Sequence, residues 1–148
     1  MRVSTRGDYA ARALLSLALH TEAAPTSVRE IAERTGLPQP YLEQILLALK
    51  GAGLVRSKRG VGGGYVLARE PDGIRLSEIV RAVDGPITAG DFGEPHTDSA
   101  CDHEGQCVLL TIWGAAGNHM RTFLDSFTLA DIAEMAGGRS PWPSLDDA

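Results

Sequence analysis

The chain has 148 residues, 43% hydrophobic and 22% charged, with a formal net charge of −5, which suits one globular domain, or a small domain with an extension, large enough to bury a core. No apolar run approaches the roughly 20 residues needed to cross a bilayer. The opening "MRVSTRGDYAARALLSLALH" mixes charge into its apolar positions instead of segregating it as a signal peptide does, so a cytoplasmic protein with no membrane partner is expected.

The charge is unevenly placed. Residues 1–70 carry ten Lys/Arg against six Asp/Glu, a net of +4, and residues 71–148 carry four against thirteen, a net of −9. One part is thus suited to meet a polyanion and the other to pairing or sensing.

From Asp8 to His20, "DYAARALLSLALH" places Tyr9, Ala13, Leu14, Leu17 and Ala18 on one side at helical spacing, with further apolar residues around the circumference. That pattern predicts a largely buried first helix. "TEAAPT" interrupts it, and "SVREIAERTG" opens with Ser27 three residues before Glu30, the spacing of a capping box. Val28, Ile31 and Ala32 then face inward, and Gly36 ends the helix in a left-handed turn. A third helix follows, with Pro40 in its first turn and Leu42, Ile45, Leu46 and Leu49 on one stripe before Gly51 and Gly53.

Two short helices joined by a glycine-containing turn behind a buried helix describe a helix-turn-helix. In that motif the second helix lies in the major groove and its first residues reach base edges. The residues selected are Pro38, Gln39, Pro40, Tyr41, Glu43 and Gln44, with Ser27 and Arg29 at the start of the preceding helix. Gln39 and Gln44 each offer a donor and an acceptor, which suits adenine, and Glu43 can accept from the amino group of cytosine. The plain alternative is a helical hairpin with a solvated polar face.

"RSKRGVGGGYVLAR", Arg56 to Arg69, bears on that choice. "LVRS" and "YVLA" alternate with period two around a glycine-rich segment, which reads as a β-hairpin. Directly after a recognition helix, such a hairpin is a wing. It puts Arg56, Lys58 and Arg59 on its rising strand and tip, within reach of a phosphate backbone or an adjacent minor groove, while Gly60, Gly62, Gly63 and Gly64 permit positive φ and close backbone approach. A solvated loop is the bland reading. A Walker-type phosphate loop is excluded, because no Lys-Ser/Thr follows the glycines.

"MRVSTRGDYAARALLSLA", the run "REIAERTGLPQPYLEQILLALKGAGLVRSKRGVGGGYVLAREPDGIRLSEIVRAVDGPI" and "CDHEGQCVLLTIW" together resemble the Rrf family of bacterial winged-helix transcription regulators over roughly residues 1–135. The resemblance implies a homodimeric regulator, read as a repressor, that binds double-stranded DNA at a palindromic operator, each subunit giving one winged head and one long helix that crosses its partner's. The sequence independently supports such a helix: Leu109, Ile112, Trp113, Ala116, Met120, Phe123, Leu124 and Phe127 continue one apolar stripe, with His119, Arg121 and Asp125 off it. Part of the stripe packs on its own domain, and a two-fold interface accounts for its length. The fold class expected is mainly α with a small β-hairpin, a winged helix-turn-helix plus a long C-terminal dimerisation helix. Residues 1–85 form the DNA-binding domain, 86–108 a cysteine-containing sensor loop, 109–135 the dimerisation helix and following segment, and 136–148, with two glycines, two prolines and an acidic end, a disordered tail.

Cys101 and Cys107 are the only cysteines and flank "DHEGQ" just before the long helix. In an intracellular protein such a pair reads as metal binding or redox chemistry before a structural staple. The resemblance makes a 2Fe-2S cluster the leading expectation here: members of the family that hold one typically use three cysteines and a histidine or acidic fourth ligand, and the family also contains members without a cluster. The pair present matches the second and third of those cysteines. The first position falls near Pro95, and the histidine sometimes found after the last is here Leu110. Imidazole can replace thiolate on one iron, so the candidates for the missing ligands are His96, His103 and, from a partner subunit, Asp8. A thiol switch, a single metal ion, a role for a partner, or no chemistry at all are the other readings of the pair, and the helix macrodipole alone favours an acidic residue where Asp8 stands. A winged-helix protein-interaction module is the competing function. An enzyme is not expected, since the chain has no recognisable triad turn, paired-carboxylate motif, nucleotide loop or C-x-x-C.

Overall fold

The computed structural model describes residues 3–20, 24–95 and 103–144. Its first helix begins where Ser4 caps it, the hydroxyl accepting from the Gly7 N–H at 3.0 Å, so α1 runs Thr5–Leu19 and starts before Asp8. Ala10, Ala13, Leu14 and Leu17 form its buried side. The same Ser4 hydroxyl donates to the Asp84 carboxylate, tying the start of α1 to the end of a later helix, and a Cβ on Gly7 would come within 2.8 Å of Asp84 Oδ2.

The capping box read from the sequence starts α2, Val28–Thr35. Ser27 N–H donates to Glu30 Oε2 at 2.9 Å and Glu30 N–H to Ser27 Oγ at 3.2 Å, and Gly36 closes the helix at φ 70°. Pro38 is the N-cap of α3, Gln39–Gly51, whose Leu42, Ile45, Leu46 and Leu49 are fully buried. Gly51 is therefore the last residue of the helix, and the turn that follows uses Gly53.

The chain next forms β1, Val55–Lys58, antiparallel to β2, Gly64–Leu67, with Val55 opposite Leu67 and Lys58 opposite Gly64. An isolated antiparallel bridge is added to β2 from a distance: Thr26 N–H donates to Tyr65 O at 3.0 Å and Tyr65 N–H to Thr26 O at 2.8 Å. The wing is thus bonded to the residue that leads into α2.

A 3₁₀ turn at Pro71–Gly73 leads to α4, Leu76–Asp84, whose Ile79 and Val80 are buried. Residues 86–95 then cross α5, Cys107–Asp125: a Cβ on Gly117 would lie 3.0 Å from Ala89 N, and the Phe92 ring sits 6.2 Å from that of Trp113. A last helix, α6, Leu129–Ala136, starts with a second capping box between Thr128 and Asp131. Leu129 enters the core beside Leu14 and Ile79, and Leu76 N–H to Phe127 O (3.0 Å) and Leu129 N–H to Ile74 O (2.8 Å) fasten the α5–α6 corner to the winged head. Among the described residues no helix is long and apolar enough to cross a membrane.

Candidate nucleic-acid interface and sensor loop

The exposed face made by the start of α3 and the wing contains most of the residues picked out for DNA. Pro38, Gln39, Pro40, Glu43 and Gln44 are exposed. Gln39 Nε2 reaches Glu43 Oε1 only at 3.4 Å, a long contact that a base edge can displace, and the Gln44 side chain has no hydrogen bond among the described residues. Tyr41 is 39% exposed because its ring meets Tyr9 edge-to-face at 5.7 Å, so only part of it is available. Ser27 and Arg29 are already engaged. The Ser27 hydroxyl works in the cap, where the N–H and then the hydroxyl of Ser27 hold the Glu30 carboxyl below its ordinary range. Arg29 Nε donates to Glu33 Oε1 at 2.9 Å.

The wing carries the free charge. Arg56, Lys58 and Arg59 are exposed, and none forms an ion pair among the described residues, whereas Arg69 at the wing's far end pairs with Glu78 at 3.0 Å. Two glycines shape the hairpin most strongly. A Cβ on Gly63 would run into the Lys58 carbonyl, and one on Gly64, at φ 154°, into the Thr26 carbonyl. Gly60 and Gly62 take φ of 96° and 73° at the tip around Val61, which is fully exposed. Thr26 escaped the sequence reading, since a single residue pairing across a long loop leaves no local pattern.

Three of the sensor residues, Asp8, His103 and Cys107, are among those described. Cys107 is the half-buried first residue of α5, and His103 is exposed in the turn before it, its carbonyl accepting from Gln106 N–H at 3.0 Å. Asp8 is exposed on α1 and paired with Arg12 at 2.9 Å. Cys101 and His96 lie outside the described residues. Among the described residues no three His, Cys, Asp or Glu side chains gather closely enough for a metal, so Cys107, His103 and Asp8 do not meet within one chain.

The apolar stripe of α5 is largely uncovered. Leu109, Ile112, Trp113 and Phe123 are exposed, together with Val108, which the stripe reading omitted; Ala116 and Met120 are half-buried. Leu124 and Phe127 stand apart from the rest of the stripe. Leu124 is buried in the chain's own fold, and Phe127 lies beyond the helix, which ends at Asp125 because Thr128 begins capping α6. Phe127 instead packs edge-to-face on Phe123 at 5.3 Å. Two residues not picked out hold the base of α5: the Ser77 hydroxyl donates to the Asp125 carboxylate, and Arg75 Nη1 to Asp125 O at 3.2 Å. At the tail, Ala136 is the last residue of α6, and the Trp142 indole N–H donates to Met135 O at 2.7 Å; residues 145–148 lie outside the described residues.

Residues 3–135 match a family model described as "Rrf2: Iron-dependent Transcriptional regulator". The chain belongs to the Rrf2 family. Among curated Rrf2 relatives, the HTH-type transcriptional regulator IscR of Aliivibrio salmonicida is 36% identical over 132 residues, 89% of this chain and 77% of the relative. Among solved structures, the T. potens IscR superposes with a TM-score of 0.73 at 36% identity, covering 100% of this chain and 97% of that one. The B. subtilis global cysteine regulator CymR superposes with a TM-score of 0.74 at 35% identity, covering 90% and 97%. This Rrf2 chain is a transcriptional regulator with a DNA-binding winged-helix fold, and its relatives are regulators, not enzymes.

Proposed function

We propose that this Rrf2 regulator binds a palindromic operator as a homodimer and acts as a repressor, its output set by the loop that holds Cys101 and Cys107. The observation that carries the DNA reading is the basic wing, unpaired among the described residues, beside the open polar start of α3: cations without ion-pair partners there are available to phosphates, and Gln39, Glu43 and Gln44 face out where base edges can be read. The uncovered stripe of α5 supports a homodimer, since apolar surface of that length on one helix is otherwise left in water.

For the sensor, the donor set suits a 2Fe-2S cluster only if two non-thiolate ligands join Cys101 and Cys107. His96 and His103 flank Cys101 in sequence, and Asp8, which forms no three-ligand group among the described residues of one chain, would come from the second copy. A cluster held by these residues would supply a redox-active centre that oxidants, nitric oxide or iron scarcity could remove. Cys107 begins α5, and Asp125 at its other end is held by Ser77 and Arg75 of the winged head. A shift at the loop therefore travels along one rigid helix to the reading head, changing the spacing of the two recognition helices.

The test is purification without oxygen, followed by visible absorption, circular dichroism and iron and sulfide content. A coloured protein with equal iron and sulfide, whose colour is lost in Cys101→Ala or Cys107→Ala, is the expected result. A colourless protein that dimerises and binds DNA refutes the cluster and moves the signal to thiol chemistry, another metal or a partner. DNA affinity that does not fall with rising salt refutes the DNA reading in favour of a protein-interaction module.

A further inference from the structure

We infer that the segment after α6 belongs to the interface between two copies of this chain, with Trp142 as its anchor; this rests on the homodimer proposed above. An apolar cleft of about 690 Å³ lies between α1, α4, α6 and the end of α5, walled by Leu15, Leu76, Phe123, Ile132, Met135 and Trp142. The charged residues at its edge, Asp8 and Arg12, are paired with each other. Trp142 reaches the cleft because its indole N–H bonds to the Met135 carbonyl at 2.7 Å, near the end of α6. That bond satisfies the ring's polar atom and fixes its position, yet the residue stays 76% exposed.

The chain carries the apolar surface that fits this cleft but cannot deliver it to itself. Val108, Leu109, Ile112 and Trp113 are 42–63% exposed on the first half of α5, while Phe123 in the second half is part of the cleft wall. Leu109 and Phe123 are 14 residues apart on one continuous helix, about 21 Å along its axis, so the stripe cannot fold back into its own cleft. A second copy related by a two-fold axis places each stripe in the other's cleft, and Phe123, common to both surfaces, makes the contact continuous and closed. An unrelated helix in the cleft would leave the stripe of α5 in water. Trp142 then closes over the partner's helix as a fixed aromatic anchor, the residue type and setting in which interface energy concentrates.

Sedimentation of the full chain over a dilution series tests this. Trp142→Ala is expected to raise the dimer dissociation constant at least about tenfold, with the circular dichroism of wild type. Trp142→Phe, which keeps an apolar ring and loses the bond to Met135, is expected to fall between. Arg139→Ala, on the same segment but not among the residues that line the cleft, is expected to leave the constant unchanged. A Trp142→Ala dimer as tight as wild type overturns the inference while leaving the homodimer standing. If Trp142→Ala loses helix, Trp142→Phe decides, and an unchanged constant there overturns it. A wild-type chain that is monomeric throughout overturns the homodimer itself.

Discussion

Replacing Gly64 with Ala tests whether the wing is aimed by its bond to Thr26. The new Cβ would occupy the Thr26 carbonyl, at a φ of 154° that side chains rarely adopt. Relief requires the wing to swing off Thr26, breaking Thr26 N–H to Tyr65 O (3.0 Å) and Tyr65 N–H to Thr26 O (2.8 Å). Two such bonds contribute about 0.5–1.5 kcal/mol each, and an unfavourable backbone conformation costs roughly 1–3 kcal/mol. A loss of about 3 kcal/mol lowers Tm by roughly 6–12 °C in a chain of this size. Gly62→Ala is the control: it too has a positive φ, 73°, but its Cβ meets nothing within 4 Å, so only the backbone cost remains. Thermal unfolding should show a much larger drop for Gly64→Ala than for Gly62→Ala, and duplex DNA titration should show roughly tenfold weaker binding or more for Gly64→Ala. Equal melting temperatures for the two variants, with unchanged affinity for Gly64→Ala, would refute the claim that Thr26 positions the wing.

Arg59→Ala should weaken binding to all duplex sequences alike and reduce the slope of log affinity against log salt by about 0.9, with the dimer intact by sedimentation; an unchanged slope removes Arg59 from the phosphate contacts. Ile112→Asp puts a carboxylate on the exposed stripe of α5 and should yield a folded monomer at concentrations where wild type is dimeric, whereas a persistent dimer relocates the interface. Glu30 and Asp131 are held below the ordinary carboxylate range by the N–H and then the hydroxyl of Ser27 and Thr128. A depressed folded pKa gives stability that is present above the unfolded value, near 4, and lost as pH falls through the folded one. Urea unfolding of a Glu30→Gln, Asp131→Asn double variant should therefore show lower stability than wild type at pH 7 and a smaller difference at pH 3; equal differences at both would refute the capping assignment.

The sequence by itself determined what depends on near neighbours. The capping box at Ser27 and Glu30, the left-handed stop at Gly36, the buried stripe from Leu42 to Leu49 and the hairpin around the glycines are all present as read, because caps, turns and helical faces are set by residues a few positions apart. It also showed where basic charge is concentrated, but only the fold decided which cations are free. Arg29 and Arg69 are spent on Glu33 and Glu78, while Arg56, Lys58 and Arg59 form no ion pair among the described residues. The end of α5 at Asp125, with Phe127 outside it, follows from Thr128 opening a new helix and Leu129 entering the core, and a continuous apolar periodicity hid that break. The rung between Thr26 and Tyr65, the Ser77–Asp125 tie and the bond from Trp142 to Met135 were likewise invisible beforehand. Each is a single contact made possible by chain segments that only tertiary packing brings together, and a contact of that kind imposes no period on the residues that make it.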